Sequence, residues 1–146
     1  MAKRDFNVNI TSTDDFKIIC KARNFSYYLD APSIMGGTDS GMTPVESLLA
    51  AIGACQCLVT KFFAVQKGIV LKDVKVDMIG EFDGDRLLGI NEKSELGFSK
   101  IISKFHIKAE NSESEIKEFI DFVVHNSPVN DSIKPSINLL TEVYVL

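Results

Sequence analysis

The side chains of this 146-residue chain whose types could do chemistry are three thiols, Cys20, Cys55 and Cys57, and a glutamate, Glu46, at a predicted helix start. A thiol acts as a nucleophile only as the thiolate, and its oxidation begins with a sulfenic acid. Cys55 falls in the middle of its predicted helix, too far along for the helix N-terminus to lower its pKa, so a nearby cation has to do so. The arginines available are Arg4, Arg23 and Arg86. The competing reading of Cys55 is a small buried hydrophobe on a helix stripe, a common fate of free cysteine. Cys57 cannot bridge to it, because two residues along a helix point roughly 200° apart and a disulfide needs close Cβ atoms. Cys20 alternates with Phe16 and Ile18 and reads as core, remaining the one distant option for a second thiol. His106 and His125 have no Cys or carboxylate partner at a ligand-like spacing, so neither a metal site nor a cofactor is expected.

The elements that must position these groups show in the periodicity. Phe6, Val8 and Ile10 alternate with polar neighbours, as do Phe16, Ile18 and Cys20, with Asp14-Asp15 as the turn between them. A third strand, Phe25-Tyr27-Leu29, ends at Asp30-Ala31-Pro32. The loop from Ser33 to Met42 holds Gly36, Gly37 and Gly41, which permit close backbone approach, but it has neither a Walker ending nor a GxGxxG spacing. Thr43 as N-cap, Pro44 at the first helical position and Glu46 as the capping-box partner then start a long helix. Its apolar stripe runs Val45, Leu48, Leu49, Ile52, Cys55, Val59, Phe62, and a second face carries Ala50, Gly53, Cys57, Lys61 and Ala64, up to Gly68. Two stripes predict a helix covered on most sides. Glu46 and Cys55 project about 180° apart on a straight helix, so a shared site needs a bend or a partner chain.

Val74, Val76, Met78 and Phe82 predict another strand, closed by Asp83-Gly84-Asp85, while residues 86–102 carry no clear pattern. A strand at Phe105–Lys108 precedes a second helix with the capping pair Ser112 and Glu115 and the apolar face Ile116, Phe119, Ile120, Val123, Val124. Phe105 and Ile107 set His106 on the opposite, solvated face with Lys104 and Lys108, while His125 ends the helix, where a cation suits the dipole. Ser127-Pro128 stops that helix, and Ile137, Leu139, Val143 and Val145 form a closing strand. Strands and helices do not alternate strictly, which predicts one α+β domain over residues 1–146, an antiparallel sheet with helices on one face.

A net charge of −4 with interspersed signs offers no basic stripe for nucleic acid. The low, odd cysteine count and the absence of an apolar run behind the first charges point to a reducing, cytoplasmic setting. The most apolar segment, Leu48–Val59, is short of the roughly 20 residues of a membrane span.

The segment from Gly36-Gly37-Thr38-Asp39 through Thr43-Pro44-Val45-Glu46 to Ile52-Gly53-Ala54-Cys55 resembles the signature of the OsmC/Ohr family (osmotically inducible protein C, organic hydroperoxide resistance). In that family a glycine-rich loop leads through a Pro-x-Glu helix start to the peroxidatic cysteine, and the element order of nearly the whole chain agrees. The resemblance implies an interwoven homodimer with sites at the subunit interface. It also implies Cys55 as attacking thiol, Glu46 as the residue orienting an activating arginine, and Arg23 as that arginine, although Glu46 has a structural role as a cap. The chain departs from the family where a second, resolving cysteine precedes a Pro-Val step: here the stretch is His125-Asn126-Ser127-Pro128-Val129. A serine cannot close a disulfide with a sulfenic acid. The resemblance therefore implies a reductase of organic hydroperoxides or hydrogen peroxide served by an external thiol reductant. The alternative is a non-catalytic module holding a small apolar or thiol-bearing ligand at the dimer interface.

Overall fold

The computed structural model describes residues 3–133 and 137–146. Its elements are β1 (Asn9–Ser12), β2 (Ile18–Ala22), β3 (Phe25–Leu29), a 3-10 turn (Ser33–Met35), α1 (Pro44–Ala64), β4 (Leu71–Phe82), β5 (Phe98–Ala109), α2 (Glu113–His125), α3 (Pro128–Ile133) and β6 (Asn138–Val145). They fall into two compact units, Met1–Leu48 and Leu49–Leu146, with the boundary inside α1.

In the first unit β1, β2 and β3 form an antiparallel meander in which Ile10 faces Cys20 and Cys20 faces Tyr27. The Asp15 carboxylate makes the predicted turn by accepting from the Thr13 hydroxyl and the Lys17 N–H. Cys20 and Leu29 are buried, but Phe6, Val8, Ile10, Phe16, Phe25 and Tyr27 of the predicted alternation are exposed, the Phe16 ring lying against Gly36.

Beyond β3 the chain wraps around one carboxylate. Asp30 accepts from the Ala31 N–H, the Thr38 N–H and hydroxyl at 3.2 and 2.6 Å, and the Ser40 N–H and hydroxyl at 3.1 and 2.9 Å. These donors, the Thr38 hydroxyl foremost, hold its carboxyl far below the usual range. Gly37 is required here, since a Cβ on it would stand 1.9 Å from the Ala31 carbonyl oxygen. The loop so fixed delivers Thr43, whose hydroxyl accepts from the Glu46 N–H and whose own N–H reaches Glu46 Oε2 at 2.7 Å, the predicted capping box.

In the second unit β4 and β5 pair antiparallel and β6 joins β5 in parallel. The single antiparallel sheet expected from the sequence is thus corrected to two three-stranded sheets, one of them mixed. The reason is connectivity: β5 and β6 are joined through α2 and α3, and a helical crossover returns the chain in the same direction. α2 carries its capping box on Ser112 and Glu115 and buries Ile116, Phe119, Ile120 and Val123 against Phe105 and Ile107 of β5. β5 begins at Phe98, inside the stretch without readable pattern, and α3 is a further helix that the sequence did not signal. On the outer face of β5, His106 stacks on Tyr144 and its Nε2 lies 3.0 Å from Asp77 Oδ2.

The buried side of α1 differs from the predicted stripe. Ile52, Gly53, Gln56, Thr60 and Ala64 are buried, whereas Val45, Leu48 and Phe62 of the stripe are exposed, Phe62 to 67%. At 21 residues, α1 is also long and apolar enough by length and composition to cross a membrane, which corrects the expectation drawn from Leu48–Val59 alone. Gln56 and Thr60 within it are buried and hydrogen-bonded inside the protein.

Candidate functional site

Cys55 is half-buried on α1, at the edge of the side that turns Gln56 inward. The element that meets it comes from the far end of α2. There the Asn126 N–H closes the helix onto the Phe122 and Val123 carbonyls, and Pro128, which has no N–H and restricts the residue before it, forces a new start at α3. Ser127, at this corner, is 1% exposed, and its Oγ stands 3.2 Å from Cys55 Sγ. The residue read from sequence as standing in for a second thiol is therefore in hydrogen-bond contact with the candidate nucleophile, 72 positions away.

Behind this pair lies a chain of neutral polar groups. Ser127 Oγ is also 3.3 Å from Asn130 Oδ1, and Gln56 Nε2 donates to that same oxygen at 3.3 Å and to Ser103 Oγ at 2.9 Å. Gln56, Ser103, Ser127 and Asn130 are all buried. Gln56 Oε1 has no hydrogen-bond partner among the described residues, which leaves one buried acceptor of the network open. A cavity of about 190 Å³ lined by Val124, His125, Asn130, Asp131 and Leu139 adjoins the network through Asn130. His125 is turned onto the Asp121 carbonyl, with Nδ1 at 2.7 Å.

The other candidate residues have different settings. Cys57 is half-buried, and burial pushes its thiol up, against the opposing pull of Lys61 and the Val76 N–H. No disulfide joins the three cysteines. Glu46 is occupied by the helix cap, where the Thr43 N–H and hydroxyl hold its carboxyl below the ordinary value. Arg23 sits in the β2–β3 turn with a φ of 55° and its guanidinium 4.9 Å over the Phe25 ring. Both belong to the first unit, Cys55 to the second.

Sequence reasoning missed Gln56, Ser103 and Asn130. One signal was present: Gln56 is an uncharged amide in the most apolar stretch of the chain, and a buried amide demands partners.

Comparison with known proteins follows the same lines. The profile of the OsmC-like protein family matches residues 37–142. The hydroperoxide reductase of Mycoplasma genitalium is 26% identical over 142 residues, covering 97% of this chain and 96% of that protein. The hydroperoxide reductase of Mycoplasma pneumoniae is 25% identical over 131 residues, covering 90% of this chain and 88% of that protein. The crystal structure of an OsmC-like protein from Mycoplasma pneumoniae superposes with a TM-score of 0.88 at 22% identity, over 99% of both chains.

Proposed function

Because this chain belongs to the OsmC-like family, we propose that it is a thiol-dependent hydroperoxide reductase with Cys55 as nucleophile and Ser127 in the position of the family's second thiol. The observation that carries the proposal is the 3.2 Å contact between Ser127 Oγ and Cys55 Sγ. The family resemblance assigns a resolving thiol to that position, and the contact of its hydroxyl with Cys55 supports the assignment. The two relatives named hydroperoxide reductase support the same reading.

In the proposed cycle the Cys55 thiolate attacks the terminal oxygen of the hydroperoxide. The O–O bond breaks, the alkoxide leaves with a proton as the alcohol, and Cys55 becomes a sulfenic acid. Ser127 offers no sulfur to displace the hydroxyl, so a small external thiol does so, releasing water and leaving a mixed disulfide on Cys55. A second thiol resolves it, returning Cys55 and a low-molecular-weight disulfide. The balance is one hydroperoxide and two thiols to one alcohol, one water and one disulfide. The family resemblance implies Arg23, oriented by Glu46, as the cation for the thiolate; in this chain Glu46 is held by the Thr43 cap and the Arg23 guanidinium lies over Phe25. We place the reaction in a homodimer, to which Leu58, Phe62 and Val65, exposed on and just beyond α1, lend support as an apolar surface.

The test is steady-state consumption of cumene hydroperoxide and hydrogen peroxide with dithiothreitol or glutathione. The wild type is expected to turn over with either thiol, and Cys55→Ser is expected to fall to the rate of free thiol. Ser127→Cys should gain chiefly with dithiothreitol, which reduces an internal disulfide directly. Wild-type consumption no faster than free thiol overturns the proposal and leaves the non-catalytic ligand-binding module, which the serine at position 127 would then explain.

A further inference from the structure

The hydroxyl of Ser127 has one proton and two acceptors in range, Cys55 Sγ at 3.2 Å and Asn130 Oδ1 at 3.3 Å. It cannot donate to both at once. When Cys55 is a neutral thiol, its S–H can donate to Ser127 Oγ while the Ser127 proton goes to Asn130. When Cys55 ionises, the sulfur needs a donor, and the Ser127 proton can swing to it. Asn130 Oδ1 is not orphaned by that rotation, because Gln56 Nε2 continues to donate to it at 3.3 Å and is itself anchored on Ser103 at 2.9 Å. A cysteine at this position would be a weaker donor, and an alanine none.

From this arrangement we propose that Ser127 is a positioning residue rather than a vacancy: a hydroxyl rotor that donates to the Cys55 thiolate and is aimed by Asn130, with Gln56 and Ser103 fixing the Asn130 amide. Its effect is to give the ionised sulfur a hydrogen-bond donor already within reach. No bond forms to Ser127 at any stage, and no proton leaves the Ser127 oxygen. Where a second thiol would offer an internal disulfide, Ser127 then offers the sulfur a donor when it ionises. The inference rests on Cys55 being the reactive thiol of the proposed reductase, but its test needs no peroxide.

The experiment follows the pH dependence of iodoacetamide alkylation at Cys55, read by peptide mass spectrometry in the full-length protein, with melting curves run alongside. Ser127→Ala should slow alkylation of Cys55 at neutral pH roughly tenfold, the loss expected when a charge-assisted bond of ordinary strength is removed. Ser127→Gly, a second removal of the hydroxyl that adds no charge, should have the same effect. His125 and Asp131, the ionisable groups flanking Ser127 in the chain, are unchanged in both variants, so a shift reports on the hydroxyl. A purely structural role would lower the melting temperature and leave the alkylation profile in place. That result, in whichever variant folds, overturns the inference. A shifted profile without peroxide turnover keeps the rotor and removes the reductase, whereas turnover with an unmoved profile does the reverse.

Discussion

The two units each gather polar groups around one acceptor, and they do it in opposite ways. In the first, the Asp30 carboxylate receives five donors and is saturated. In the second, Ser127, Asn130, Gln56 and Ser103 are neutral, share donors between acceptors, and leave Gln56 Oε1 without one among the described residues. A saturated charge has a single arrangement and serves to fix a loop. An undersaturated neutral chain keeps a choice of donor direction, which is what a group changing its protonation state requires of its neighbours.

The comparison can be broken at several points. The largest effect is expected for Gly37→Ala, whose Cβ would meet the Ala31 carbonyl oxygen at 1.9 Å, a collision with backbone beside the Asp30 knot. It should cost about 2 kcal/mol or more, measured by urea denaturation. Asp30→Asn follows. The amide presents hydrogens to groups that are already donors, and the melting temperature should fall by roughly 5 °C.

The same substitution sharpens the comparison through pH. The folded pKa of Asp30 lies below its unfolded value, so the stability it contributes is complete above that unfolded value, about 3.9, and is lost as the pH falls through the folded one. Wild-type urea midpoints should therefore drop on acidification below about pH 4, and those of Asp30→Asn should drop less. An equal slope in the two proteins would deny the knot its charge.

In the neutral network, Gln56→Leu should cost only about 1–2 kcal/mol, because one of the two amide polar atoms has no partner among the described residues. A loss much larger than this would mean that Oε1 has a partner in solution. The smallest effect is at the loop's exit, where Thr43→Ala removes a helix cap and should cost about 1 kcal/mol, similar to Ser112→Ala at the start of α2.

Features decided by neighbours in the chain were legible. Both capping boxes, Thr43 with Glu46 and Ser112 with Glu115, follow from a three-residue spacing and are present. The apolar face of α2 and the buried alternation of Phe105 and Ile107 follow from periodicities of 3.6 and 2. Less legible was the first half of β5, where Ser99, Lys100, Ser103 and Lys104 dilute the apolar signal and pairing with β4 supplies the strand instead. The side of α1 that is buried also escaped the pattern. Periodicity ranks Phe62 above Gln56, yet Gln56 is inside because Ser103 and Asn130 stand opposite it.

By itself, then, the sequence determined most of the elements, the helix starts and the family. Each of these lives in short spacings or in residue identity. Tertiary structure alone decided that β6 runs parallel to β5, and that Ser127, Asn130 and Ser103 converge on Cys55 and Gln56 from separate elements. Hydrogen bonds between residues 47 to 74 positions apart leave no periodic trace in a chain, because what selects the partners is the packing of the elements that carry them.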